Sequence, residues 1–107
     1  MTVPQIKARD IPSGGYLLDV REPDEWAAGH APDAVHIPMG QIQGRLDEVP
    51  EGRTVYVVCR VGGRSFQVAA WLGQVGREAV NVDGGMQAWE REKLPMISET
   101  GRPPFVA

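Results

Sequence analysis

The sequence predicts an α/β fold with a mainly parallel, about five-stranded sheet flanked by helices. Two observations predict it. Strand-like runs alternate with helical or turn segments along the chain. Most of those runs are continuously apolar, with no polar residue at every second position, which is the pattern of strands covered on both faces.

In chain order, a weak strand is expected around Gln5 and Ile6. Tyr16-Leu17-Leu18-Asp19-Val20 is the first strong strand. Glu22 to Ala28 reads as a short helix, with Pro23 in its first turn, where the missing N–H costs nothing. Ala34-Val35-His36-Ile37 is a short strand stopped by Pro38. Ile42, Leu46 and Val49 share one helical face, although Gly44 weakens that helix. Val55 to Val58 is a third strong strand. Val68, Trp71, Leu72 and Val75 follow the i, i+3, i+4, i+7 spacing of an amphipathic helix, and Gly76 ends it. Ala79 to Val82 is a fourth strong strand, and Gly85 to Glu92 a last short helix. Trp26, Trp71 and Trp89 sit at helical positions and are expected in the core. The stretch from Pro95 to Ala107 carries three prolines and little periodicity. It is expected to be extended, either packed along the surface or loose. A chain of 107 residues implies one domain, 1–107, with its core at about 6–95 and a tail at 96–107.

The net charge of −3 argues against a nucleic-acid partner. No apolar stretch approaches a membrane span, and Met1-Thr2-Val3-Pro4 does not open a signal peptide. A single cysteine cannot form an internal disulfide, so a reducing cytoplasm is the expected location.

That cysteine, Cys59, is the most informative residue. The strand Val55–Val58 stops at it. Arg60-Val61-Gly62-Gly63-Arg64-Ser65 then forms a glycine-centred turn that feeds a helix. Main-chain N–H groups converge at such a turn and favour an anion. The thiolate is the reactive form of cysteine, and a helix N-terminus or neighbouring cations lower its pKa from about 8.5. Arg60 and Arg64 supply positive charge, and Gly62 and Gly63 allow the backbone angles that let amides converge. A lone cysteine is often an inert small hydrophobe, but an inert one gains nothing from two flanking guanidinium groups. The reading requires the sulfur to be reachable from solvent. A basic loop on an acidic molecule suggests a small anionic substrate.

Other residues take bland readings. His30 and His36 with Cys59 match no ligand spacing, so no metal and no cofactor is expected, and both histidines are read as hydrogen-bonded scaffold. Asp19 ends a strand near the loop. It could pair with a loop arginine and orient it; a structural salt bridge with an indirect effect on activity is the preferred reading. Arg21 is expected to tie Glu25 or a nearby carbonyl. Asp83-Gly84-Gly85 is expected to be a tight turn beside the site.

Several of these segments, taken together, resemble the rhodanese family. Leu17-Leu18-Asp19-Val20-Arg21-Glu22, Glu25-Trp26 and Gly29-His30 are similar to its N-terminal signature, which Ile37-Pro38 and Arg45-Leu46 continue. Val57-Val58-Cys59-Arg60-Val61-Gly62-Gly63-Arg64-Ser65 resembles its active-site loop, and Asp83-Gly84-Gly85 with Trp89 its closing motif. The resemblance runs in order from about Ile6 to Pro95. It implies a rhodanese-like three-layer fold and a sulfurtransferase. Cys59 is then the nucleophile that takes a sulfane sulfur from a donor such as thiosulfate, carries it as a persulfide and passes it to cyanide or a thiol. The amides of Arg60, Val61, Gly62, Gly63, Arg64 and Ser65 would cradle the persulfide, Arg60 and Arg64 would hold the donor, and the Ser65 hydroxyl would donate to the sulfur. Asp19 and Arg21 would support. Phosphatases of the same fold use Cys-x5-Arg; the shorter Cys-x4-Arg here suits one sulfur atom better than a tetrahedral phosphate. The sequence departs from the family pattern at Ala31-Pro32-Asp33, His36 and Arg77, none of which lies in the loop. The main alternative is a sulfur-carrying or redox-sensing module that delivers the persulfide to one protein partner. A non-catalytic interaction domain is disfavoured because it needs no nucleophile.

Overall fold

The computed structural model describes residues 2–107. Its strands are β1 (Gln5–Lys7), β2 (Tyr16–Asp19), β3 (Val35–His36), β4 (Thr54–Val58) and β5 (Glu78–Asp83). Its helices are α1 (Pro23–Ala28), α2 (Gly63–Gln74) and α3 (Gly85–Arg91). The five strands form one sheet in the order β1-β5-β4-β2-β3, and every adjacent pair is parallel. All strand carboxyl ends therefore lie along one edge. Asp19, Cys59 and Asp83 stand there, where open α/β sheets bind their ligands.

The continuous apolar runs are explained by two cores, one on each face of the sheet. Leu18, Val55, Val57, Val68, Ala69 and Leu72 belong to the core beneath α2. Leu17, Val58, Val82 and Met86 belong to the one beneath α3. Neighbours in sequence thus go to opposite faces, as the pleat requires. The α2 helix ends as its glycine predicts. Gly76 has φ of +94°, and the Arg77 N–H reaches back to the Leu72 carbonyl at 2.9 Å.

Other expectations are corrected. The segment around Ile42 is not an α-helix but two 3₁₀ stretches, Met39–Gln41 and Gln43–Glu48, broken at Arg45 with φ −123°. Gly44 offers no side chain to support a longer helix, and the Arg45 guanidinium is held by Glu48 and Gln41. The apolar spacing still delivers Ile42 and Val49 to the core. A further 3₁₀ turn, Ala8–Asp10, carries no sequence pattern. Trp71 and Trp89 pack against the cores as expected, though half-buried, and Trp26 lies outside both. Trp26 stacks on His30, with ring centroids 3.5 Å apart, and on His36 at 4.7 Å. Trp89 packs on the α3 core and donates from Nε1 to the Pro95 carbonyl.

Of the two expectations for the tail, packing is what occurs. Ile97 and His30 exchange main-chain hydrogen bonds, and the N–H groups of Glu99 and Phe105 donate to the Ala27 and Ala28 carbonyls. Val106 donates to Glu90 and packs on the α3 core. The tail straps the end of α1 onto the body of the fold. No helix among the described residues is long and apolar enough to cross a membrane.

Candidate active site

Cys59 follows the last residue of β4, and its loop runs directly into α2. Two glycines of the next connection shape that loop from behind. Gly84 and Gly85 have φ of +77° and +57°, and a Cβ on Gly85 would sit 2.5 Å from the Cys59 carbonyl oxygen. This close approach lets the first amides of α3 bind the loop. The Met86 N–H donates to the Cys59 carbonyl at 2.8 Å and the Gln87 N–H to the Arg60 carbonyl at 2.9 Å. With those carbonyls held toward α3, the following N–H groups turn the other way, toward the sulfur. Asp83-Gly84-Gly85 is thus the tight turn expected, and it also sets the loop's orientation.

The Gly62 N–H donates to Cys59 Sγ at 3.1 Å, from a residue with φ of +116° that favours glycine. Ser65 Oγ lies 3.2 Å from the same sulfur. Burial pushes the Cys59 thiol up. The Ser65 hydroxyl and the amides of Ser65, Gly62 and Val61 outweigh it, and the net shift is down. Hydrogen bonds carry this shift more than the arginine charges on which the sequence reading leaned.

Both arginines have partners. Arg64 Nη1 and Nη2 donate to the two oxygens of Glu25 at 2.7 and 2.9 Å. That bidentate pair holds the Glu25 carboxyl down at about 2. Arg60 Nε donates to the Ala107 main-chain oxygen at 3.0 Å. Of the two partners expected for Arg21, Glu25 or a nearby carbonyl, it takes the carbonyl. Arg21 lies 0% exposed against an equally buried Asp19, 2.7 Å from its Oδ2, and it donates to the Gly29 carbonyl at 2.8 Å. Asp19 therefore holds Arg21 and no loop arginine. The Arg21 carbonyl also accepts from His36 Nε2 at 2.8 Å. This buried cluster fixes the end of α1, and α1 presents Glu25 to Arg64. His30 contacts the Ala31 carbonyl and Glu99, each at 2.8 Å. Among the described residues, no three His, Cys, Asp or Glu side chains are grouped to hold a metal ion.

One requirement fails in the resting structure. Cys59 is only 1% exposed. The sulfur faces the Gly62 amide and the Ser65 hydroxyl, and little of the residue meets solvent at rest. Val61, at 52% exposure, and Phe66, at 40%, form apolar flanks outside it. A cavity of about 620 Å³ lies elsewhere, lined by Tyr16, Asp33, Arg53 and Trp89 among others, and takes no residue from the Cys59 loop.

The roles of three residues escaped the sequence reading. Glu25 was visible as the fourth residue of a Glu-x-x-Glu capping box, and it does accept from the Glu22 N–H, but its partner Arg64 is distant in sequence. Asn81 sits mid-strand with no local signal beyond being polar in an apolar run. Met86 acts through its main chain, which no residue type reveals.

The family model for the rhodanese-like domain matches residues 4–92. A protein from Allochromatium vinosum named sulfurtransferase is 44% identical over 86 residues, 79% of this chain and 80% of that one. The crystal structure of a rhodanese-related protein from Thermoplasma volcanium superposes with a TM-score of 0.83 at 30% identity, covering 88% of this chain and 97% of that one. A NAD-dependent persulfide reductase from A. fulgidus matches with a TM-score of 0.71 at 31% identity, over 81% of this chain and 16% of its own.

Proposed function

The chain belongs to the rhodanese-like family, whose chemistry is sulfur transfer, and from that premise we propose that it moves a sulfane sulfur from a small anionic donor to cyanide or a thiol through a persulfide on Cys59. The observation that carries this reading is the set of donors aimed at one sulfur: the Gly62 amide at 3.1 Å and the Ser65 hydroxyl at 3.2 Å. They favour the thiolate, the form that attacks sulfur.

With thiosulfate as donor, the Cys59 thiolate attacks the outer sulfur. A new S–S bond forms, the old one breaks, and sulfite leaves with its electron pair. The negative charge now sits on the outer persulfide sulfur, within reach of the Arg60–Ser65 amides. An acceptor such as cyanide then attacks that outer sulfur, thiocyanate leaves, and the thiolate is restored. Kinetics are ping-pong. Arg64 and Arg60 stand at the loop as cations suited to an oxyanion. Because Cys59 is buried at rest, the donor must reach the sulfur through the mouth of the loop, beside the exposed Val61. The reaction needs a reduced thiol, which suits a reducing compartment such as the cytoplasm.

Cys59→Ser is expected to abolish thiosulfate:cyanide turnover while circular dichroism stays unchanged; substantial residual turnover in a folded variant would refute the assignment. The enclosed sulfur supports a second reading, in which a docked protein partner opens the loop and takes the sulfur. Discharge of the persulfide by both cyanide and free thiols favours the enzyme. Discharge by a protein acceptor alone favours the carrier.

A further inference from the structure

The Ser65 hydroxyl has one proton and two neighbours that want it. Its Oγ lies 3.2 Å from Cys59 Sγ and 2.6 Å from Asn81 Oδ1. Ser65 is 0% exposed and Asn81 2%, so water does not make up a missing bond. The amide of Asn81 is oriented from its other side. Nδ2 donates to the Gly62 carbonyl at 3.3 Å and to Gln5 Oε1 at 3.1 Å, which turns Oδ1 toward Ser65. Asn81 itself is fixed in the middle of β5, opposite Gln5 on one side and Val57 on the other.

We infer that Asn81 is a positioning residue of the sulfur-transfer site, one whose Oδ1 accepts the Ser65 O–H hydrogen bond while Cys59 is a thiol and releases it to the sulfur when Cys59 is ionised. The inference rests on Cys59 being the reactive group. In the thiol state, S–H donates to Ser65 Oγ and Ser65 O–H donates to Asn81 Oδ1. When the thiol proton leaves to solvent, Ser65 O–H swings to the sulfur and Asn81 Oδ1 loses a buried hydrogen bond. Asn81 therefore opposes ionisation against the loop amides, and it leaves the thiolate more basic. A more basic thiolate is the better nucleophile. Once Sγ is bonded to a second sulfur, the charge moves outward and the Ser65 O–H donates to Asn81 Oδ1 again. The hydroxyl thus follows the charge through the cycle.

The test is the pH dependence of Cys59 alkylation by iodoacetamide, which reads proton affinity without turnover. The charged groups at the loop, Arg60, Arg64 and its partner Glu25, stay the same throughout. Asn81→Leu removes the competing acceptor and is expected to lower the Cys59 pKa, raising the thiolate-to-thiol ratio at fixed pH about threefold to tenfold. Asn81→Asp keeps a stronger acceptor and is expected to raise it. Loss of loop order would instead raise the pKa in both. In a Ser65→Ala background the Asn81→Leu effect is expected to vanish. If Asn81→Leu does not fold, the comparison moves to Asn81→Asp, whose effect must shrink when Ser65 is alanine. A pKa that moves the same way in both variants, or an effect undiminished without Ser65, overturns the inference. Either result leaves the Cys59→Ser test of the activity untouched.

Discussion

Both terminal nitrogens of Arg64 donate to Glu25, so part of its charge is neutralised in the resting site. Each nitrogen carries a further N–H, and the side chain is 35% exposed, so the fork can face a donor while still held. Arg64→Ala is therefore expected to raise KM for thiosulfate more than it lowers kcat, the mark of lost uniform binding. Steady-state kinetics check this, and an unchanged KM would mean that Arg64 serves only as an anchor. The sequence made Cys59 and its glycine-centred turn readable because reactive residue and turn chemistry are contiguous. It could not show that Arg64 is already paired, since Glu25 lies on another element. Nor could it show how closely the loop wraps the sulfur, because main-chain direction is set by the amides of α3.

At the scale of elements, three contacts align α1, the loop and α3. The first is the Glu25–Arg64 pair between α1 and α2. The folded Glu25 titrates at about 2 against an ordinary 4.5. Its folded value lies below the unfolded one, so its stabilisation is complete above 4.5 and is lost as pH falls toward 2. Denaturation of wild type and Glu25→Gln across that range is expected to show a stability gap that closes with acid; a gap independent of pH would contradict it. The second is the passage of Gly85 beneath the Cys59 carbonyl. Gly85→Ala sets a Cβ 2.5 Å from that oxygen at a φ of +57°. It is expected to cost about 1–3 kcal/mol, from backbone strain and overpacking, and to slow Cys59 alkylation. Urea titration and alkylation rates read the two effects, and an unaltered alkylation rate would show that α3 does not orient the loop. The third is the buried Asp19–Arg21 pair, which locks the end of β2 to Gly29. Strands and the longest helix were legible because period and length agree over whole segments. The 3₁₀ stretches were not, because Ile42, Leu46 and Val49 satisfy helical spacing whether or not the backbone between them is regular.

On the scale of the molecule, the parallel sheet brings three strand ends to one edge, and the tail closes the outside of α1. The matched family region ends at residue 92, so the strap over residues 95–107 lies beyond it. Its hydrogen bonds to Ala27, Ala28 and His30 follow no side-chain pattern, which is why the sequence left packed and loose as equal choices. Deleting residues 96–107 is expected to lower stability by about 1–3 kcal/mol, through re-exposure of the apolar surface that Met96 and Val106 cover on the α3 core. It is also expected to speed hydrogen exchange at the end of α1; equal stability with and without the strap would contradict its role. In the proposed function all of these contacts converge on a single sulfur, whose ionisation the loop's hydrogen bonds favour. Intact-mass spectrometry after mixing with thiosulfate or a low-molecular-weight persulfide tests that function most directly. The account predicts a gain of one sulfur atom, reversed by cyanide and absent in Cys59→Ser. No gain from any such donor, or the same gain without Cys59, would contradict it.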